Sequence, residues 1–135
     1  MQQFTVLVDL DATSPLRKVD DIIGAYNQFV DEDANILITA CPSRKNPYFN
    51  MVEKVNGHVR KVKELDVSPI RRQDAPQVYD MNASIYIWKR DVLLNYDTLF
   101  TDLTSLYIMP EERSIDIDTE IDWQFVEFII NGRNL

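Results

Sequence analysis

The first forty residues read as strand, helix, strand, a pattern that confines the chain to an α/β sheet. Phe4 to Leu10 (Phe-Thr-Val-Leu-Val-Asp-Leu) is an almost unbroken apolar run of strand length, as expected of a strand covered on both faces of a parallel sheet. Ser14-Pro15 opens a helix whose apolar positions, Val19, Ile22, Ile23, Tyr26, Phe29 and Val30, recur at three and four residues. It ends near Asp31. Asn35 to Ala40 is a second apolar strand, so the two strands should lie parallel with a right-handed crossover between them.

The next stretch changes character. Phe49 to Val55 and His58 to Glu64 flank Asn56-Gly57, the pair best suited to a two-residue turn that needs positive φ at both positions. A protruding polar β-hairpin is predicted. Asn82 to Trp88 forms another strand, followed by a short helix around Asp91 to Tyr96 and a brief strand at Leu106 to Met109. Thr119 with Asp122 three positions on makes a capping box, and Ile121, Phe125, Phe128 and Ile129 form an apolar stripe before Gly132 stops the last helix. The expected architecture is a single domain over residues 1–135: a partial Rossmann-like, mostly parallel sheet with flanking helices and a hairpin arm.

At 135 residues there is room for one modest core, and 45% hydrophobic with 27% charged residues marks a globular chain rather than a disordered one. No apolar run reaches membrane-spanning length, and Met1-Gln2-Gln3-Phe4 lacks the basic flank of an export signal. A single cysteine, Cys41, allows no intrachain disulfide, so a reducing cytoplasm is the expected location. Residues 42–72 hold eight basic and three acidic side chains, a net +5, which leaves −13 for everything else in a chain of net charge −8. Such a field repels nucleic acid. The basic stretch suits a small anion or an acidic neighbouring chain, or is simply a solvated hairpin.

Two acidic groups fall at the carboxyl ends of strands, where open α/β sheets gather their ligands. One is Asp9-Leu10-Asp11, whose alternation aims both carboxylates at one face. The other is Asp116-Ile117-Asp118, just before the last helix. Carboxylates crowded together repel unless a cation neutralises them, and Mg²⁺ typically takes one or two of them plus phosphate oxygens. The plainer alternative is that Asp118 and Asp122 favour the positive end of the helix dipole. Arg71-Arg72 could hold an acidic substrate or lie on the surface. Asn82 and Tyr86, four apart on one strand face, could present an amide and a phenol to a polar ligand or serve as packing and a strand-end cap. His58 follows the hairpin and is expected to be exposed.

Four segments together carry a resemblance. Asp11-Ala12-Thr13-Ser14-Pro15-Leu16-Arg17, Arg72-Gln73-Asp74-Ala75-Pro76-Gln77, Asn82-Ala83-Ser84-Ile85-Tyr86-Ile87 and Ser114-Ile115-Asp116-Ile117-Asp118-Thr119 resemble the N-acylneuraminate cytidylyltransferases in order and spacing. Related enzymes activate other nine-carbon acids of the legionaminic or pseudaminic type, and Asp-Leu-Asp before Thr-Ser-Pro is closer to that bacterial subgroup. The resemblance implies transfer of CMP from CTP to a nine-carbon acidic sugar, with pyrophosphate leaving and Mg²⁺ as cofactor. By the same resemblance Asp116 and Asp118 would hold the metal; Asn82, Tyr86, Leu99 and Phe100 would line the sugar pocket. Arg72 would approach the sugar carboxylate or the phosphates from a neighbouring subunit, since residues 42–81 correspond to the family's dimerisation arm. Asp11 stands where the family usually has a substrate-contacting glutamine; it would touch sugar, or ligate metal as the analogous aspartate does in the 3-deoxy-manno-octulosonate cytidylyltransferases.

One departure is plain in the residues. The family's opening glycine- and basic-rich loop, which cradles the CTP phosphates, has no counterpart in this sequence, whose three glycines cannot supply one. The chain resembles the C-terminal half of a family member, and the isolated polypeptide is expected to show little or no catalysis. The alternative is a non-catalytic dimerisation or sugar-acid-binding module derived from the enzyme. Either way, the sheet is expected to carry an open edge that needs covering.

Overall fold

The computed structural model describes residues 4–132; Met1–Gln3, read above for an export signal, lie outside them. Two compact units are present. One is built from residues up to Cys41 and from Met81 onward, the other from Pro42–Asp80.

The larger unit carries a four-stranded sheet in the order β1-β5-β2-β6, formed by β1 (Val6–Leu10), β2 (Ile36–Pro42), β5 (Tyr79–Lys89) and β6 (Thr104–Ile108). β2 and β6 run parallel, Ile36 opposite Thr104. β5 runs antiparallel to β1, Val6 opposite Lys89. It also opposes β2, since Lys89 donates its N–H to Asn35 O while Ile85 meets Thr39. The expected mostly parallel, Rossmann-like sheet is therefore corrected to a mixed one in which an antiparallel strand separates β1 from β2. The apolar runs in β1 and β2 report burial and length; nothing in them encodes the neighbour that arrives forty residues later.

β1 corrects a second expectation. Val8, Asp9 and Leu10 are exposed, so this strand is an edge rather than a strand covered on both faces. β2 is the covered one, with Ile36 to Cys41 all buried. Each large side chain fully buried there contributes about 1.5–3 kcal/mol.

Helix α1 (Val19–Asp31) begins four residues later than Ser14-Pro15 suggested. Its start is set by Asp21, whose carboxylate accepts the N–H of Lys18 at 2.8 Å, while Ser14 and Leu16 are buried in the preceding turns. Ala25 and Phe29 face the sheet and pack with Leu37, Ile85, Ile87 and Met109; Ile22 joins them. Val19, Ile23, Tyr26 and Val30 line the other side and are exposed. Gly24 lies against Tyr107 of β6, whose ring and hydroxyl occupy the place a Cβ would take.

The opposite face of the sheet packs Ile36, Ile38 and Val92 with Tyr86, Trp88, Leu99 and Leu106. Val92 belongs to the short α2 (Arg90–Asn95). The last helix, α3 (Glu120–Gly132), starts on the expected box: Thr119 N–H donates to Asp122 at 2.8 Å and Asp122 N–H to the Thr119 hydroxyl at 3.3 Å. Its apolar stripe, however, is turned outward. Ile121, Phe125 and Phe128 are exposed, Ile129 is half-buried, and Val126 is the buried position.

In the smaller unit, β3 (Val52–Val55) and β4 (His58–Lys61) form the predicted hairpin, and Asn56 and Gly57 take φ values of 51° and 83°. Asn46 organises the rest of the unit. Its amide donates to Pro76 O at 2.9 Å and accepts the Tyr48 N–H, and its backbone carbonyl accepts from Phe49, Asn50 and Met51.

Candidate functional site

β1 delivers Asp11 to the end of the sheet, and β5 holds it there. Asp11 N–H donates to Ser84 O, and Arg17 bridges the carbonyls of Asp11 and Ser84 with one guanidinium nitrogen. The Asp11 carboxylate accepts both the N–H and the hydroxyl of Thr13, each at 2.9 Å. Those two bonds, with the positive field of Arg17, lower its pKa and keep it ionised.

Tyr86 sits opposite Asp9 in the β1–β5 register and is half-buried. Burial raises its phenol pKa first, and the charges of Asp11, Asp9 and Asp116 raise it further. The phenol therefore stays protonated and can donate a hydrogen bond. Asp11 and Asp116, 105 positions apart in the chain, thus act on the same ring. The link between their segments is direct, because Ile117 N–H donates to Thr13 O at 3.0 Å.

One oxygen of Asp116 is buried without a hydrogen-bond partner. A buried carboxylate oxygen left unpaired is costly, and a cation is the partner that would relieve it. Among the described residues no three His, Cys, Asp or Glu side chains form a ready-made cage. Mg²⁺ does not require one, since it commonly takes one or two carboxylates with water and substrate oxygens. Asp118 is exposed beside the start of α3, with its N–H donated to Asp122 at 3.2 Å.

Asn82 is buried and its amide is fully engaged. Its oxygen accepts the Thr39 hydroxyl at 2.7 Å and the Ser84 N–H at 3.2 Å; its nitrogen donates to Ser114 Oγ at 2.9 Å and lies 3.5 Å from the Met109 sulfur. Between Asn82 and Ser84 the chain takes φ of 51° at Ala83, a strained conformation for a residue with a Cβ. Leu99 packs in the Tyr86 cluster, whereas Phe100 is 66% exposed. Arg72 belongs to the smaller unit, donates to Ser43 O, and lines a cleft of about 400 Å³ with Ser43, Asn46, Gln73 and Gln77.

Of the residues singled out in the sequence, the structure joins the Asp11 turn to the Asp116 segment, sets Tyr86 opposite Asp9, turns Asn82 inward, and leaves Asp118 and Phe100 at the surface. Thr39, Ser114 and the Asp21–Arg113 pair were not legible, because their partners lie 43, 32 and 92 positions away.

Over 132 residues the chain is 52% identical to the CMP-N,N'-diacetyllegionaminic acid synthase of Campylobacter jejuni, covering 98% of this chain and 55% of that protein. The chain is homologous to the CMP-legionaminic and N-acylneuraminate cytidylyltransferases. A Campylobacter coli protein named post-translational flagellin modification protein B is 49% identical over 133 residues, which is 98% of this chain and 56% of that one. An N-acylneuraminate cytidylyltransferase of Streptococcus agalactiae is 30% identical over 122 residues, 90% of this chain and 29% of its own length. The chain thus spans little more than half the length of these two Campylobacter proteins, and no family model matches it. Among the described residues no helix is long and apolar enough to cross a membrane.

Proposed function

We propose that this chain supplies the sugar- and metal-binding part of a cytidylyltransferase that moves CMP from CTP to a nine-carbon acid of the sialic or legionaminic type. The observation that supports the reading is the junction of the Asp11–Thr13 turn with the Asp116 segment, where Ile117 N–H donates to Thr13 O at 3.0 Å, in a chain 52% identical over 132 residues to a CMP-N,N'-diacetyllegionaminic acid synthase. In that reaction the anomeric hydroxyl oxygen bonds to the α-phosphorus, the bond to the β-phosphate oxygen breaks, and pyrophosphate leaves as the hydroxyl proton is released.

One or two of Asp116, Asp118 and Asp11 would hold Mg²⁺, which when bound would offset negative charge on the phosphate oxygens. The remaining work falls to this chain's own side chains. The Tyr86 phenol, kept neutral, donates to a sugar oxygen and orients it. Leu99 and Phe100 supply an apolar wall. Asn82, occupied by Thr39, Ser84 and Ser114, shapes the site from within. Arg72 of a neighbouring copy would offer a fork for the sugar carboxylate or the phosphates. In this reading the arm at 42–81 pairs two copies, and the protein works in the cytoplasm without nucleic acid.

The test is pyrophosphate release from CTP, Mg²⁺ and a panel of nonulosonic acids, run on the 135-residue chain and on the chain extended to the length of its relatives. Turnover by the extended protein that disappears with Asp116→Asn supports the proposal. Binding of a sugar acid with no pyrophosphate from either protein would replace it with the binding-module reading.

A further inference from the structure

Asp116 lies in a segment that no strand or long helix supports. Between β6 and α3 the chain makes only one short 3-10 turn, Glu111–Arg113. Beyond Arg113 it is held by two long-range contacts already described, Asn82 to the adjacent Ser114 and Ile117 to Thr13 at the far end. Its near end is held by Arg113. The guanidinium donates from Nε to one Asp21 oxygen at 2.8 Å and from a terminal nitrogen to the other at 2.7 Å. Asp21 is 1% exposed, and the oxygen that accepts from Nε also accepts the Lys18 N–H that starts α1. Both oxygens are engaged, so Asp21 is neither a free ligand nor a base.

We propose that Arg113 is a positioning residue that acts through Asp116: its fork on Asp21 clamps the 114–118 segment to the start of α1 and so sets where the unpaired Asp116 oxygen stands. Arg113 is one residue before Ser114 and three before Asp116, too close for the chain between them to absorb a shift. A planar fork on a buried carboxylate fixes direction as well as distance, which a lysine cannot do. The metal half of the inference rests on the proposed function; the clamp itself does not.

The decisive measurement is hydrogen exchange at the Ile117 amide, compared with Ala25 and Ile87 in the core. The variants are Arg113→Gln, Arg113→Lys, and Asp21→Asn combined with Arg113→Gln. The double variant removes the buried charge that Arg113→Gln would strand, so it separates positioning from stability. In it, Ile117 should exchange about tenfold faster or more while the core amides track global stability. Arg113→Lys should fail to restore Ile117 protection. Mn²⁺ affinity, followed by electron paramagnetic resonance, should fall about 10–100-fold in the same variants. Native protection of Ile117 in the double variant overturns the clamp. A wild-type chain that binds no Mn²⁺ overturns the metal assignment instead, and Ile117 exchange still decides the clamp.

Discussion

Asn82 donates its amide N–H to the hydroxyl of Ser114 at 2.9 Å, joining the strained turn of β5 to the segment that carries Asp116. Ser114 passes the contact on, donating to Pro110 O at 2.8 Å. The amide is thereby a structural node between two pieces of the candidate site.

Ser114→Ala leaves a buried amide nitrogen without its best acceptor and should cost about 1–3 kcal/mol. Urea denaturation measures this directly. A loss below about 0.5 kcal/mol, the usual range of an uninvolved surface change, would mean that Asn82 is not held this way.

The two carboxylates should respond differently to neutralisation. Asp116→Asn removes charge from an unpaired buried oxygen, so the melting temperature of the metal-free chain should hold or rise. Asp118→Asn touches an exposed group near a helix start and should change stability by no more than about 0.3–1 kcal/mol. On the proposed function, both should abolish Mg²⁺-dependent turnover in the chain extended to the length of its relatives. Calorimetry with and without Mg²⁺ checks the first pair of statements, and pyrophosphate release the last; undiminished turnover in Asp118→Asn would strip it of the metal role.

Asp21 makes the fold acid-sensitive. Burial pushes its carboxyl up, but the Arg113 fork and the Lys18 N–H outweigh that and leave the pKa below the ordinary 3.8. The stability Asp21 contributes is complete above that value and is lost as pH falls through the folded-state pKa. The difference in unfolding free energy between wild type and Arg113→Gln should therefore be constant near neutrality and shrink below about pH 4. A difference that stays flat down to pH 2 would exclude Asp21 as its source.

Gly24 reverses a familiar sign. Glycine to alanine within a helix ordinarily gains about 0.5–1 kcal/mol. Here the added methyl would meet the Tyr107 ring, 3.0 Å from its Cζ and closer still to the hydroxyl oxygen, and overpacking of this kind costs about 1–3 kcal/mol. Gly24→Ala should lower the urea midpoint, whereas Gly24→Ala with Tyr107→Leu should regain it. A stabilised single variant would show that Tyr107 swings aside.

The amino-acid sequence alone was enough for features that depend on neighbours a few positions apart: the Asn56-Gly57 turn, the Thr119–Asp122 box, the body of α1 and the strand at β2. It also brought Asp11, Tyr86 and Asp116 into view through spacing and family resemblance. The antiparallel insertion of β5, the edge position of β1, the outward stripe of α3 and the burial of Asn82 were decided only in three dimensions. Each depends on which surface arrives from a distant part of the chain, and apolar periodicity records that a face is hydrophobic without recording what covers it. The Arg113 fork on Asp21 is the clearest instance, a contact across 92 positions with no local signature.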